Sequence, residues 1–214
     1  MGRRHVAKKR RERSLRKRVL IVVEGAAGKS EQMYFQQLVQ VLRSEQITVD
    51  VRVLPGAGEP KRVLEKCRDE LNDPAKKDYD HACLVIDDDN HPTLDRVLLD
   101  CVQSSPKVDA VITNPQFELW LLWHHQDHTS FIDSKALTKK VIELKLVTGR
   151  QGKELAQGFP VKNYPKAIQR AHQVRPNLGT RERGGNPSSG IPWLIAALQT
   201  GTFSCPFRWG GDIQ

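Results

Sequence analysis

Two apolar runs in the chain stop on acids. Val19-Leu20-Ile21-Val22-Val23 ends at Glu24-Gly25, and Ala82-Cys83-Leu84-Val85-Ile86 ends at Asp87-Asp88-Asp89. In extended backbone the side chains alternate, so Asp87 and Asp89 share a face and Asp88 points to the other. If the two runs are neighbouring strands, Glu24, Asp87 and Asp89 meet at one sheet edge. Carboxylates gathered without matching Lys or Arg must shift their pKa values or bind a cation. A hard divalent ion, Mg2+ or Mn2+, suits a sparse oxygen set that leaves positions for water and phosphate oxygens. The competing assignment is that Asp87 to Asn90 caps a helix starting near Pro92. It suffices for Asp88 or Asp89 alone, but not for three acids arriving from two strands.

The segment after Glu24 suggests other chemistry. Gly25-Ala26-Ala27-Gly28-Lys29-Ser30 resembles a phosphate-binding loop, but that motif places four residues between its glycines, and this loop has only Ala26 and Ala27 there. Two residues fewer do not complete the backbone wrap around a triphosphate, so nucleotide hydrolysis is a minor alternative. A calcium-loop reading of Asp87 to Asn90 fails because its glycine and distal glutamate are missing.

The elements that must position these acids alternate in type. Val19 to Val23 is apolar throughout, as in a central parallel strand covered on both faces. Gln32 to Leu42 places Phe35, Leu38, Val39 and Leu42 on one helical face, with Ser30 as the expected N-cap. Thr48 to Leu54 suits an outer strand. Pro60 to Leu71 has Val63, Leu64, Cys67 and Leu71 at helical spacing, and Pro60 fits a first turn. Ala82 to Ile86 is a third strand, the stretch after Pro92 a helix, and Val108 to Ile112 a fourth strand. This order predicts an α/β fold with a doubly wound, mainly parallel four-stranded sheet. Beyond Asn114 the pattern is helical: Phe117 to His125, Ser134 to Leu146, Pro165 to Gln173 and Ile191 to Leu198. The stretches 149–163 and 179–190 read as loops. The expected organisation is a basic arm over 1–18, an α/β core over 19–114 and a helical annex over 115–214.

The chain has 214 residues and a formal net charge of +9. Residues 1–18 hold ten Lys or Arg against the single acid Glu12, so this segment supplies the whole excess and 19–214 balance to zero. Such a block cannot bury apolar surface and is expected to be a disordered or weakly helical arm. Contact with nucleic-acid phosphate is its expected use, with Arg10, Arg11 and Arg13 in the arm and Lys29 near the acids as candidate contacts. The four cysteines are scattered without metal spacing, which suits reduced thiols, with Cys67 and Cys83 facing the core. No window approaches the ~20 continuous apolar residues that span a bilayer. A soluble, cytoplasmic chain without membrane contact is the expectation.

Four blocks carry a family resemblance: Ile21-Val22-Val23-Glu24-Gly25 with Ser30-Glu31 and Tyr34-Phe35; Val85-Ile86-Asp87-Asp88-Asp89 with His91-Pro92; Asn114-Pro115-Gln116-Phe117-Glu118-Leu119-Trp120-Leu121-Leu122; and Asn186-Pro187-Ser188-Ser189. The first two resemble the Toprim domain of topoisomerases, primases and OLD-type nucleases. Together the four resemble the RloB-like proteins of prokaryotic defence loci. The resemblance implies that Glu24 is a general acid or base or a metal ligand, that Asp87 and Asp89 bind Mg2+, and that Glu31 is a second metal-binding acid. The connection between the two glutamates, lengthened by Ala26 to Lys29, leaves the reach of Glu31 open. Glu118, one turn past Asn114 and at the same edge, is expected to be a catalytic positioning acid or second-metal ligand, or else a buried hydrogen-bonding group. His124 and His128, four apart, stay outside the site, as do Trp120 and Trp123. Asn186, Arg181 and Arg183 either meet phosphate or belong to a solvated loop. The expectation is a Mg2+-dependent Toprim-type nuclease acting on DNA or RNA, in phage defence or abortive infection. The alternative is a non-catalytic nucleic-acid-binding subunit partnering an ATPase encoded nearby. A homo-oligomer is compatible with either.

Overall fold

The computed structural model describes residues 16–203 apart from 57, 77, 90, 106 and 107. Strands β1 (Arg18–Val23), β2 (Asp50–Pro55), β3 (His81–Asp87) and β4 (Val108–Asn114) alternate with helices α1 (Ser30–Ser44), α2 (Pro60–Asn72) and α3 (Leu94–Val102). Then follow α4 (Glu118–His125), α5 (Ser134–Glu143), a short hairpin of β5 (Val147–Thr148) and β6 (Glu154–Leu155), α6 (Tyr164–Val174), β7 (Ser188–Ser189) and α7 (Ile191–Thr200). The main sheet has the order β2-β1-β3-β4-β7. Its first four strands run parallel, and β7 adds antiparallel to β4. The expected four-stranded sheet is therefore five-stranded. Two serines carry no apolar alternation to announce a strand; they are held by backbone pairing and by Thr113 Oγ1 2.9 Å from Ser189 Oγ.

The apolar strands are buried because helices cover both faces. Val19, Ile21 and Val23 of β1 pack with α1, α4 and α7, whereas Leu20 and Val22 pack with α2 and α3. The first of these clusters continues through α5 and α6. α4 is apolar around most of its circumference, with Leu119, Trp120, Leu121, Leu122 and Trp123 fully buried. A helix of that kind belongs inside, and both tryptophans are core residues. Cys67, Cys83 and Cys101 are buried free thiols, while Cys205 lies outside the described residues. Ser30 is not the N-cap of α1. That position is Lys29, without a side-chain cap, and Ser30 is the first helical residue.

At the amino edge of the sheet a buried acid is surrounded by cationic and hydroxyl groups. Asp109 accepts hydrogen bonds from Thr180 Oγ1 at 2.9 Å and Arg181 Nη1 at 2.6 Å, with His81 Nε2 2.8 Å away. Burial alone would raise its pKa, but His81, Arg181 and Thr180 outweigh burial and hold the carboxyl below its ordinary range. Phe203 stacks on His81 at 4.2 Å between ring centres. Phe207 and Trp209 lie outside the described residues. Replacing Asp109 by Ala strands the part-buried Arg181 guanidinium and the buried His81 ring, and urea unfolding should show a loss of about 3–5 kcal/mol. A loss below about 1 kcal/mol would mean that the cluster contributes little to the sheet edge.

Candidate functional site

Parallel register brings the first two acids together. Val23 of β1 pairs with Val85 of β3. One residue on, Glu24 N donates to Val85 O at 3.1 Å. Asp87 N then donates to Glu24 Oε2 at 3.0 Å. Asp87 Oδ1 accepts from Phe117 N at 2.8 Å, which ties the end of β3 to the start of α4. Glu118, the first residue of α4, is thereby drawn to the same edge, where it is only 3% exposed.

Glu31 arrives from the first turn of α1 and is 9% exposed. Its carboxylate lies directly against Gly25, where a Cβ atom would overlap Oε2. The lengthened loop therefore does not keep Glu31 away; the bare backbone of Gly25 makes room for it. Glu24, Glu31, Asp87, Asp89 and Glu118 all line one cavity of about 410 Å³, together with Gln116 and two lysines, Lys29 and Lys153.

Five carboxylates facing two ammonium groups alter the proton affinities. Burial pushes Glu24 up to about 7, with Asp89 adding to the rise, while the Asp87 amide, His91 and Lys153 oppose it. Burial pushes Glu31 up to about 8, reinforced by Glu118 and Glu24 and opposed by Lys153 and the Gly25 amide. Asp87 is raised well above the ordinary carboxylate range by burial and by Glu31, Glu24 and Glu118, against the Phe117 amide. Near neutral pH these groups share protons or require a cation. Among the described residues no three acids, histidines or thiols already converge on one ion-sized position. The donors are hard oxygens of the type that Mg2+ or Mn2+ takes, and modest side-chain movement is needed for several to bind one ion.

Lys153 and Gln116 are the members that sequence reasoning missed. Lys153 sits between β5 and β6, and its carbonyl accepts from Ser30 N at 3.0 Å, which fastens the hairpin to the start of α1. Its Nζ lies 3.7 Å from Glu118 Oε1. Nothing in a glycine-containing loop marked it. Gln116 stood inside the quoted Asn-Pro-Gln-Phe-Glu block and could have been read from its place beside Glu118.

Other residues go to structural work. Asp88 turns away and receives Arg183 on both oxygens, at 2.8 and 3.1 Å, with Asn114 Nδ2 at 3.2 Å. The cap of α3 falls on Thr93, not on the aspartates. Arg183 also pairs with Asp95, and Arg181 with Asp109, so neither is a spare phosphate contact. Asn186 clamps the backbone of Ile132 through both side-chain atoms. His124 is a core histidine, with Nε2 3.2 Å from Tyr34 Oη and Nδ1 2.9 Å from Trp120 O, and burial pushes it down to about 4. His128 contributes its carbonyl to Trp123 Nε1.

The glycine loop does not cradle phosphate. Gly28 N donates to Gln32 Oε1, Lys29 N to Ala26 O and Ser30 N to Lys153 O, so three successive amides are satisfied within the chain. Lys29 Nζ lies 3.5 Å from Glu154 Oε1. Arg10, Arg11 and Arg13 lie outside the described residues, as does Asn90.

The class defined here is an α/β protein with a mainly parallel sheet and a buried acidic cavity at the carboxyl ends of its strands. The model of the RloB-like protein family matches residues 19–198, and the chain belongs to that family. No curated protein and no solved structure matches it.

The raised acids set a pH dependence. A carboxyl whose folded pKa lies above its unfolded value takes up protons on folding, so its contribution is favourable at low pH and is lost as pH rises through the folded value. Glu24 and Glu31 place that loss between the ordinary value of 4.5 and about 8. Without divalent metal, Glu31→Gln should gain stability relative to wild type by about 1–3 kcal/mol between pH 5 and pH 9. Parallel unfolding curves for the two proteins would show that Glu31 is not under strain.

Proposed function

We propose that the chain is a divalent-metal-dependent phosphodiester-cleaving enzyme of Toprim type, acting on DNA or RNA. The observation that carries this reading is the under-compensated cavity: five carboxylates at the carboxyl edge of the sheet, three of them with raised pKa, against two lysines. Open parallel sheets bind ligands beyond the carboxyl ends of their strands, and perturbed acids in a cleft are the usual mark of a reactive site.

Glu24, Asp87, Asp89 and Glu31 would hold Mg2+ or Mn2+. When bound, the ion would offset charge on the scissile phosphate and lower the pKa of attacking water. Glu24, pushed up to about 7, can accept or return a proton near neutral pH. The Asp87 amide on Oε2 fixes its orientation. Asp87 is fixed in turn by the Phe117 amide. Glu118 holds Lys153 at the cavity, where an ammonium group can meet a phosphate oxygen.

Cleavage of single- and double-stranded DNA and RNA with Mg2+ or Mn2+ tests this reading. Wild type should cut at least one of them and stop in EDTA, and Glu24→Gln and Asp87→Asn should each lose about 10²–10⁴-fold in rate. Cutting that survives both substitutions would refute the site assignment. A protein that cuts none of the four would instead be the nucleic-acid-binding subunit.

A further inference from the structure

Positive charge is concentrated a second time in this chain, and the fold puts it beside the acids. Residues 19–214 balance overall, yet 134–153 contain Lys135, Lys139, Lys140, Lys145, Arg150 and Lys153 against the single acid Glu143. This segment is α5 and the turn of the β5–β6 hairpin. A shallow cavity of about 520 Å³ runs along α5, lined by Ser134, Lys135, Thr138, Lys139, Ile142 and Glu143.

That cavity meets the acidic one at two points. Gln116, which lines the acidic cavity, donates through Nε2 to Thr138 Oγ1 at 2.8 Å and to Ser134 O at 3.4 Å. At the other end Ile142 packs so closely on Gly152 that a Cβ there would lie 2.8 Å from its Cγ1, and the next residue is Lys153. The α5 cavity is thus one glutamine side chain from the acids at one end and one residue from Lys153 at the other.

From this juxtaposition we infer that the α5 cavity is a track for a nucleic-acid backbone, which holds the phosphates flanking the one presented to the acids. Ser134 with Thr138 and Lys135 with Lys139 repeat at four-residue spacing, so hydroxyls and ammonium groups line the same side of the helix. Like charges at that spacing weaken a helix, and the ion pair of Lys139 Nζ with Glu143 Oε1, 3.8 Å apart, is solvent-exposed and weak, so both ammonium groups stay open to an anion. The acidic cavity alone repels phosphate, and a neighbouring cationic strip is what lets a polyanion approach it.

The inference takes its substrate class from the proposed nuclease reading, but its test needs no cleavage. Binding of fluorescein-labelled single-stranded DNA and RNA to the full chain is followed by anisotropy in EDTA across a salt series. Removing two phosphate contacts with Lys135→Gln plus Lys139→Gln should lower the slope of log K against log salt by about 1.4. Lys135→Arg plus Lys139→Arg should restore it. Lys61→Gln plus Lys66→Gln, on α2 against the opposite face of the sheet, should leave it unchanged. A wild-type slope in the first variant, or an equal drop in the α2 variant, would overturn the track. A protein that shows the expected slopes but cuts nothing with Mg2+ or Mn2+ retains the track and loses the nuclease reading.

Discussion

Burying a carboxylate costs free energy unless cations or hydrogen-bond donors answer it, and this fold both obeys and departs from that rule. Asp109 is met by Arg181, His81 and Thr180. Glu70, 4% exposed, is met by Lys76, Tyr79 and Arg52, which outweigh burial and hold its pKa down. Asp88 accepts from Nε and Nη2 of Arg183. Among the described residues, only in the cavity at the carboxyl ends of β1 and β3 do buried acids outnumber their cations and shift upward. A chain that supplies partners to three buried acids elsewhere leaves these unmatched where a ligand can reach them. That contrast is what supports reading the cavity as a reactive site.

Much of the rest of the structure serves to hold those acids in place. Parallel pairing of β1 with β3 fixes Glu24 beside Asp87. The Phe117 amide on Asp87 positions the start of α4, and the buried tryptophans of α4 anchor that helix in the core. Gly25 is open enough to admit Glu31. The hairpin docks on α1 through Ser30 and Lys153, and so delivers the ammonium group that tempers Glu118. Apart from the packing of Glu31 on Gly25, these contacts span large distances in sequence, yet all act on one volume of about 410 Å³.

Legibility from the sequence followed the physics of each element. β1, β3 and β4 could be read because strands covered on both faces must be apolar throughout, and the acids that follow β1 and end β3 then marked the edge. The helical faces of α1 to α3 followed from their spacing. β7 was invisible because two serines carry no apolar alternation, and the β5–β6 hairpin was hidden among glycines and charges. Lys153 was missed for the same reason: its role comes from where the hairpin docks. Arg181, Arg183 and Asn186 were read as candidates for phosphate because composition cannot show that buried Asp109, Asp88 and the Ile132 backbone already claim them. The Gly25-to-Ser30 stretch imitated a phosphate loop because glycines serve two purposes. Here Gly25 admits a carboxylate, and Gly28 takes a positive φ of 75°.

The central claim is that raised, proton-sharing acids are poised for a divalent cation, and calorimetric titration of the metal-free protein with Mn2+ tests it most directly. Ligands must lose their protons to bind metal. At pH 7 the heat of binding should therefore vary with the ionisation enthalpy of the buffer, reporting release of about one proton or more per ion, and release should decline in Glu31→Gln. Absence of binding, or a heat independent of the buffer in the wild-type protein, would contradict it.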